Sequence, residues 1–302
     1  MELAINNFKG EQAALTAAFL WAASSAVYGL LGQRIPPLQL NLLKGLIAIL
    51  LICLTLFISS ENQPQFNSIT LVLFLLSGII GIGLGDTAYF SALNNLGARR
   101  ALLMETLAPP MTALLALILL GEQLSFGAWC GILITGIGVG WVITERTPGG
   151  VITNNNATQG IMWGMLAEIA QSIGVIISRF ALVSSNINPL WSTLFRLIGG
   201  TIIVILLLLF QRKKPSNSRK ITWSIKLLGV IFLAAFASTY LGIWLQQTSL
   251  KFAPAGIAQT LMATSPLFVI PIAAQMGEKI SLRSILGVLI AISGISLLFT
   301  FR

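Results

Sequence analysis

APPMTALLALILLGEQLSFGAWCGILITGIGVG, residues 108–140, returns in outline at 265–299 as SPLFVIPIAAQMGEKISLRSILGVLIAISGISLLF. Pro110, Gly121, Glu122, Ser125, Gly131, Leu133, Ile134 and Gly138 reappear 156 residues later as Pro266, Gly277, Glu278, Ser281, Gly287, Leu289, Ile290 and Gly294. That is eight identities in 31 aligned positions without a gap. Each copy reads as a helix, a tight Gly-Glu turn and a second helix. Self-similarity at a fixed offset inside strongly apolar sequence is the mark of a membrane protein built from two repeats.

Composition agrees. Of 302 residues 56% are hydrophobic and 9% charged, where a soluble domain carries about 25% charged. Apolar runs of about 18–24 residues, each enough to cross a hydrocarbon core, recur along the whole length. Ten spans are predicted, at 13–32, 37–58, 69–93, 100–120, 125–143, 161–178, 188–210, 226–249, 254–275 and 283–301. Loop chemistry separates them at Arg34-Ile35-Pro36-Pro37, 59–67, Gly97-Ala98-Arg99-Arg100, Gly121-Glu122-Gln123 and Asn186-Ile187-Asn188-Pro189. The longest polar link, 144–160, divides the spans five and five, giving a first repeat at 1–143 and a second at 161–302. A shift of 152 also aligns Pro37-Leu38 with Pro189-Leu190 and Lys44 with Arg196. An odd number of helices per repeat makes the two copies enter from opposite sides. The expected fold is therefore all-α and integral to the membrane, ten transmembrane helices in two inverted five-helix repeats.

The net charge is +9, and twelve of the 18 basic residues fall in the odd-numbered connections, among them Arg34, Arg99, Arg100, Arg146, Lys213, Lys214 and Lys279. Lys9, Arg179, Lys251 and Arg302 fall on the other side. By the positive-inside rule the odd connections are cytoplasmic and both termini outside, in a multi-pass protein of the cytoplasmic (inner) membrane. Topology explains the basic charge, so nucleic acid is not an expected partner; contact of the 212–226 cluster with anionic lipid stays open. The leader before the first span holds Glu2, Lys9 and Glu11, a poor n-region for a cleaved signal peptide.

Histidine is absent, which removes His-dependent nucleophiles, the commonest zinc sites and His proton relays. Cys53 and Cys130 sit inside spans, too few and too deep for a disulfide framework or a metal site. No metal and no cofactor is predicted, and proton chemistry falls to carboxylates.

Charged groups in a membrane are costly and usually functional. Asp86, Glu105, Glu168 and Lys44 lie on four different spans, ~7–11 Å below the cytoplasmic face at about 1.5 Å per residue. Arg196, on a fifth, is nearer mid-membrane. Five ionisable groups on five helices read as the lining of one cavity. Asp86 and Glu168, the deepest carboxylates, are the candidates for coupling. Lys44 is also placed to snorkel, and Arg196 to hold helices together.

Helical spacing extends the lining. Tyr89 follows Asp86 at i+3; Gln171 and Ser172 follow Glu168 at i+3 and i+4. Ser24, Ser25 and Tyr28 form a stripe on span one, Tyr240, Trp244 and Gln247 one on span eight, and Gln259 lies early in span nine. Tyr28, Tyr89, Gln171, Trp244 and Gln247 are the candidate substrate contacts, with helix linkage as the plain alternative for each. Together they place spans one, three, four, six, eight and nine innermost. Gly81-x-x-x-Gly85, Gly127-x-x-x-Gly131 and Gly136-x-x-x-Gly140 predict close helix approach. Pro109-Pro110, Pro266 and Pro271 are expected to interrupt spans four and nine, freeing carbonyls.

The paired pattern of proline, a Gly-Glu turn eleven residues on and a glycine-bearing last helix resembles the EamA-type family of the drug/metabolite transporter superfamily. A basic residue in the second helix of each repeat, Lys44 and Arg196, matches as well, with lysine where the family more usually has arginine. The resemblance covers nearly the whole chain. It implies ten helices in two inverted repeats and, usually, export of amino acids, metabolites or drugs, often driven by protons or exchange. The expectation is a secondary transporter exporting an amino-acid-like or amphipathic small molecule by alternating access, not an enzyme. Uptake or exchange on the same fold, a lipid-modifying enzyme and a membrane sensor are the alternatives, and a homodimer stays open as its assembly.

Overall fold

A computed structural model of the chain describes residues 8–32, 34–59, 67–96, 98–144, 157–210, 224–268 and 281–301. The Gly277-Glu278 turn, Pro271, Lys279, the basic run 212–220 and most of the 144–160 linker lie outside the described residues, as do the side chains of Ser25, Arg99 and Arg100.

Every regular element among the described residues is helical. In chain order they are α1 (Lys9–Gly32), α2 (Pro37–Ile58), α3 (Ser68–Leu96), α4 (Ala98–Glu105), α5 (Ala108–Leu115), α6 (Phe126–Thr144), α7 (Ala157–Val183), α8 (Pro189–Phe210), α9 (Ile225–Phe252), α10 (Ala255–Met262) and α11 (Leu282–Phe301). Eight stretches among the described residues are long and apolar enough to cross a membrane. They are α2, α3, Leu103–Leu120, α6, Thr158–Val183, α8, α9 and α11.

The ends follow local chemistry. Pro37 opens α2, where its missing N–H is no loss. Asn67 and Ser224 cap α3 and α9 by accepting from Ile69 N and Leu227 N, each at 3.2 Å. Past α5 the chain turns at Gly121, whose φ of 67° is left-handed and suits glycine.

Three stretches are π-helical: Ile79–Gly85 within α3, Ala116–Leu120 after α5 and Phe236–Leu241 within α9. The first and third occupy matching places, ending just before residues 86 and 242, 156 positions apart. The prolines break their helices a little earlier than expected. Turns at Thr106-Leu107 and Ala263-Thr264, 157 apart, precede Pro110 and Pro266. A proline disfavours helical geometry in the residue before it and leaves the carbonyl four residues back without its donor, so the chain loosens upstream of the ring.

Glycines set the closest approaches. A Cβ on Gly174 of α7 would lie 2.9 Å from the Gly81 Cα of α3, and one on Gly78 would lie 1.9 Å from the Arg196 carbonyl oxygen of α8. α3 is thus wedged backbone to backbone between α7 and α8. α6 and α11 pack antiparallel through reciprocal contacts: Gly131 meets the Gly294 carbonyl, Gly138 the Gly287 carbonyl, and the reverse pairs hold at 2.8 and 3.1 Å. Gly136, expected in a packing motif, has no atom within 4 Å of its would-be Cβ and is half-buried beside a small cavity lined by Thr106, Pro109 and Thr260, because Gly131 and Gly138 carry the α11 face at a seven-residue spacing.

Polarity is inverted relative to a soluble protein. Leu50, Phe57, Phe126, Leu209 and Phe210 point outward, while Arg196, Gln247, Ser172, Ser178 and Ser192 are fully buried. α7 is the most interior of the eight, and α8 is as buried as α3 and α9. The seventh span, left out of the expected inner set, therefore belongs to it.

Candidate functional site

A polar seam runs along α7 from Glu168 to Arg179 and gathers most of the residues singled out in the sequence. It begins where Gly85 lets α3 close on α7, its would-be Cβ 3.5 Å from that of Ala170. That contact brings Asp86, the next residue of α3, beside the helix carrying Glu168. Asp86 forms an ion pair with Lys44 of α2, whose ammonium lies 5.1 Å from the Phe90 ring centroid. Lys44 is buried and turned inward rather than snorkelling to the surface.

Glu105, the last residue of α4, hydrogen-bonds the Tyr89 hydroxyl and interacts electrostatically with both Asp86 and Glu168. Arg196 of α8 feels the field of Asp86. The five ionisable groups expected to cluster therefore form one electrostatic network. Tyr28 reaches its edge: its ring is 5.7 Å from Phe90, and its hydroxyl shares a 2.9 Å hydrogen bond with Ser238.

The π segment prepares this site. Its irregular carbonyls are met by Asn41, one turn before Lys44 on α2, which donates to Ile82 O at 3.0 Å and to Thr87 Oγ1 at 3.0 Å. Asn41 was not singled out in the sequence, though its i, i+3 spacing to Lys44 was the available signal.

Midway along the seam, Gln171 Oε1 and Arg196 Nη2 converge on the space beside Gly81, 3.4 and 3.2 Å from where a Cβ would stand. Further along, Gln247 Oε1 accepts from Ser178 at 2.5 Å and Ser192 at 3.3 Å. Trp244 is set apart from the charges. Its ring lies tilted at 41° against Tyr240, with centroids 6.2 Å apart, and Tyr240 shares a 2.7 Å hydrogen bond with Thr55 of α2. Ser172 is directed to the Ala108 carbonyl at the break before α5.

The far end of the seam is closed by Glu122, in the Gly-Glu turn after α5. Its carboxylate accepts from Arg179 Nε at 2.6 Å and from Ala255 N at 2.9 Å, and Arg179 also donates to Leu250 O at 2.5 Å. Nearby, Lys251 donates to Ile187 O at 2.6 Å. The sequence marked Glu122 as a repeat residue but gave no sign of its partner, 57 positions away.

No group of three or more metal-ligating side chains occurs among the described residues. Outside the seam an apolar groove of ≈ 570 Å³ runs between α3 and α7, lined among others by Leu84, Thr87, Leu166 and Ala170.

The sequence profile of the EamA-like transporter family matches residues 8–144 and 158–300. Similar proteins include the uncharacterized transporter YyaM of Bacillus subtilis, 25% identical over 83% of this chain and 80% of that protein. Another is an uncharacterized transporter of Archaeoglobus fulgidus, 23% identical over 94% and 95%. A protein of known crystal structure, 17% identical, superposes over 95% of both chains with a TM-score of 0.75 and so shares the fold. The two matched segments account for nearly the whole chain, which is a multi-pass membrane transporter of the EamA-like family within the drug/metabolite transporter superfamily.

Proposed function

We propose that this transporter exports a small amino-acid-like or amphipathic metabolite across the cytoplasmic membrane by alternating access, with protons as the coupling ion. The observation that carries this is the linked set of intramembrane carboxylates, Asp86, Glu105 and Glu168, on three packed helices. Glu105 is in range of both Asp86 and Glu168 in a weakly solvated interior, so a proton shared among the three is retained or released according to which face is open. Asp86 and Glu168 carry the coupling proton, Lys44 holds Asp86 in place, and Glu105 with Tyr89 bridges the two. Tyr28, Tyr89, Gln171 and Gln247 line the solute path, with Trp244 at its edge.

The architecture in this proposal is ten helices in two inverted repeats, 1–143 and 161–302. The reciprocal glycine contacts of α6 with α11, the matched π segments and the matched breaks ahead of Pro110 and Pro266 support it. Both termini face outward, so a C-terminal tag is labelled in intact cells; labelling only after lysis would reverse the orientation.

The test of function is a metabolite profile of medium from cells expressing the unmutated chain against Asp86→Asn/Glu168→Gln. A solute class enriched outside only with the unmutated chain establishes efflux. Transport that keeps its rate and pH dependence in the double variant removes the coupling role from these carboxylates.

A further inference from the structure

The two basic residues of the second helices, related by the 152-residue shift, have different surroundings. Lys44 has its carboxylate, Asp86, on the next helix of the same repeat. The position that answers to Asp86 after the second π segment is Gly242, and the space a side chain would need there is filled by the indole of Trp21, 2.5 Å from the would-be Cβ. Among the described residues no carboxylate forms an ion pair with Arg196; Asp86 acts on it only through its field. Its side chain is fully buried, and neither Nε nor Nη1 has a hydrogen-bond partner among the described residues.

Gln171 Oε1 stands on the Nη2 side of the guanidinium, beside Gly81, while the other neighbours add donors. Gln247 Nε2 and Ser77 Oγ are buried and unpartnered among the described residues, while Gln247 Oε1 is already taken by two serine hydroxyls. Ser192 places Gln247 one turn from Arg196 on α8. Ser77 precedes Gly78, whose Cα face lies on the Arg196 backbone. A planar guanidinium with free donors, flanked by a free amide donor and a hydroxyl, is matched by one planar acceptor of single negative charge. A phosphate monoester, at about −1.5 to −2 charge, would leave charge unmet by a single cation.

We propose that Arg196 receives the carboxylate of the transported solute, with Gln247 and Ser77 completing the cradle. The inference rests on the transport reading above and narrows its substrate class to carboxylate-bearing solutes. In an amino acid the ammonium group then meets the acidic cluster through Asp86, the carboxylate whose field reaches Arg196. Arg196 is buried in this conformation, which makes it an occluded site reached when the helices rock apart.

The test uses purified full-length protein and its thermal unfolding midpoint in detergent. The probes are the twenty proteinogenic amino acids, each beside its carboxamide, together with butyrate, butylamine and butyl phosphate. At least one carboxylate raises the midpoint, and its carboxamide binds about 100-fold more weakly. Arg196→Lys, which keeps the charge but loses the planar fork, erases most of that carboxylate-over-amide preference; a residue that only holds helices together would not move this ratio. Equal binding of acids and amides, preference for the amine or the phosphate, or no carboxylate binding overturns the proposal, as does an Arg196→Lys protein that unfolds normally and keeps the wild-type preference. Flux of any solute through vesicles bearing the same protein keeps the transport reading intact even if the carboxylate site fails.

Discussion

Arg179 reads in sequence as the end of a membrane helix, and span six was expected to stop at residue 178. The helix instead continues to Val183, because Glu122 and the Leu250 carbonyl take the guanidinium. Burying a cation is tolerated when its charge and donors are both met. Glu122→Gln leaves Arg179 partly buried without its counter-charge. It is expected to lower stability by about 3 kcal/mol, read as a fall in the thermal unfolding midpoint of purified protein. Asn41→Ala removes the donor that serves the Ile82 carbonyl. Since hydrogen bonds between membrane helices are modest, a loss of about 1 kcal/mol is expected in the same assay. Neither partnership could be inferred from spacing along one helix, because each joins helices far apart in sequence. The ionisable cluster was legible for the opposite reason: depth follows from counting residues into a span, whatever the neighbours.

At the scale of elements, apolar run length was enough to find the helices, while their irregularities were hidden. Nothing in Ile79–Gly85 announces a π-helical stretch, although its three glycines relax the constraints on one. Which face a helix buries was only partly readable. Glycine spacing placed the contact of α6 at both Gly131 and Gly136, and three-dimensional packing kept the first and left the second beside a small cavity. The contrast can be measured. A Cβ at Gly138 would come within 2.4 Å of Ala291 N, whereas one at Gly136 meets nothing within 4 Å. Gly138→Ala should therefore cost about 1–3 kcal/mol through overpacking. Gly136→Ala should stay within about 0.5 kcal/mol of the parent, because its Cβ meets nothing within 4 Å. Equal effects in thermal unfolding would show that α6 and α11 do not meet through this face.

The whole molecule is held together across its two matched halves, through α6 against α11, α1 against α9, and α3 between α7 and α8. Few of these contacts are local, so the halves are complementary surfaces. Residues 1–150 and 151–302, expressed as separate chains in one cell, are expected to copurify and to restore the solute profile of the intact chain; halves that insert but do not associate would contradict this. The reciprocity of the last helices carries a historical consequence. A glycine face that meets its own duplicate head to tail is one that a single five-helix ancestor could have used to pair with a twin inserted upside down. Fusion of the two genes would then have freed each half to diverge. Lys44 in an ion pair while Arg196 has none among the described residues would be one outcome of that freedom.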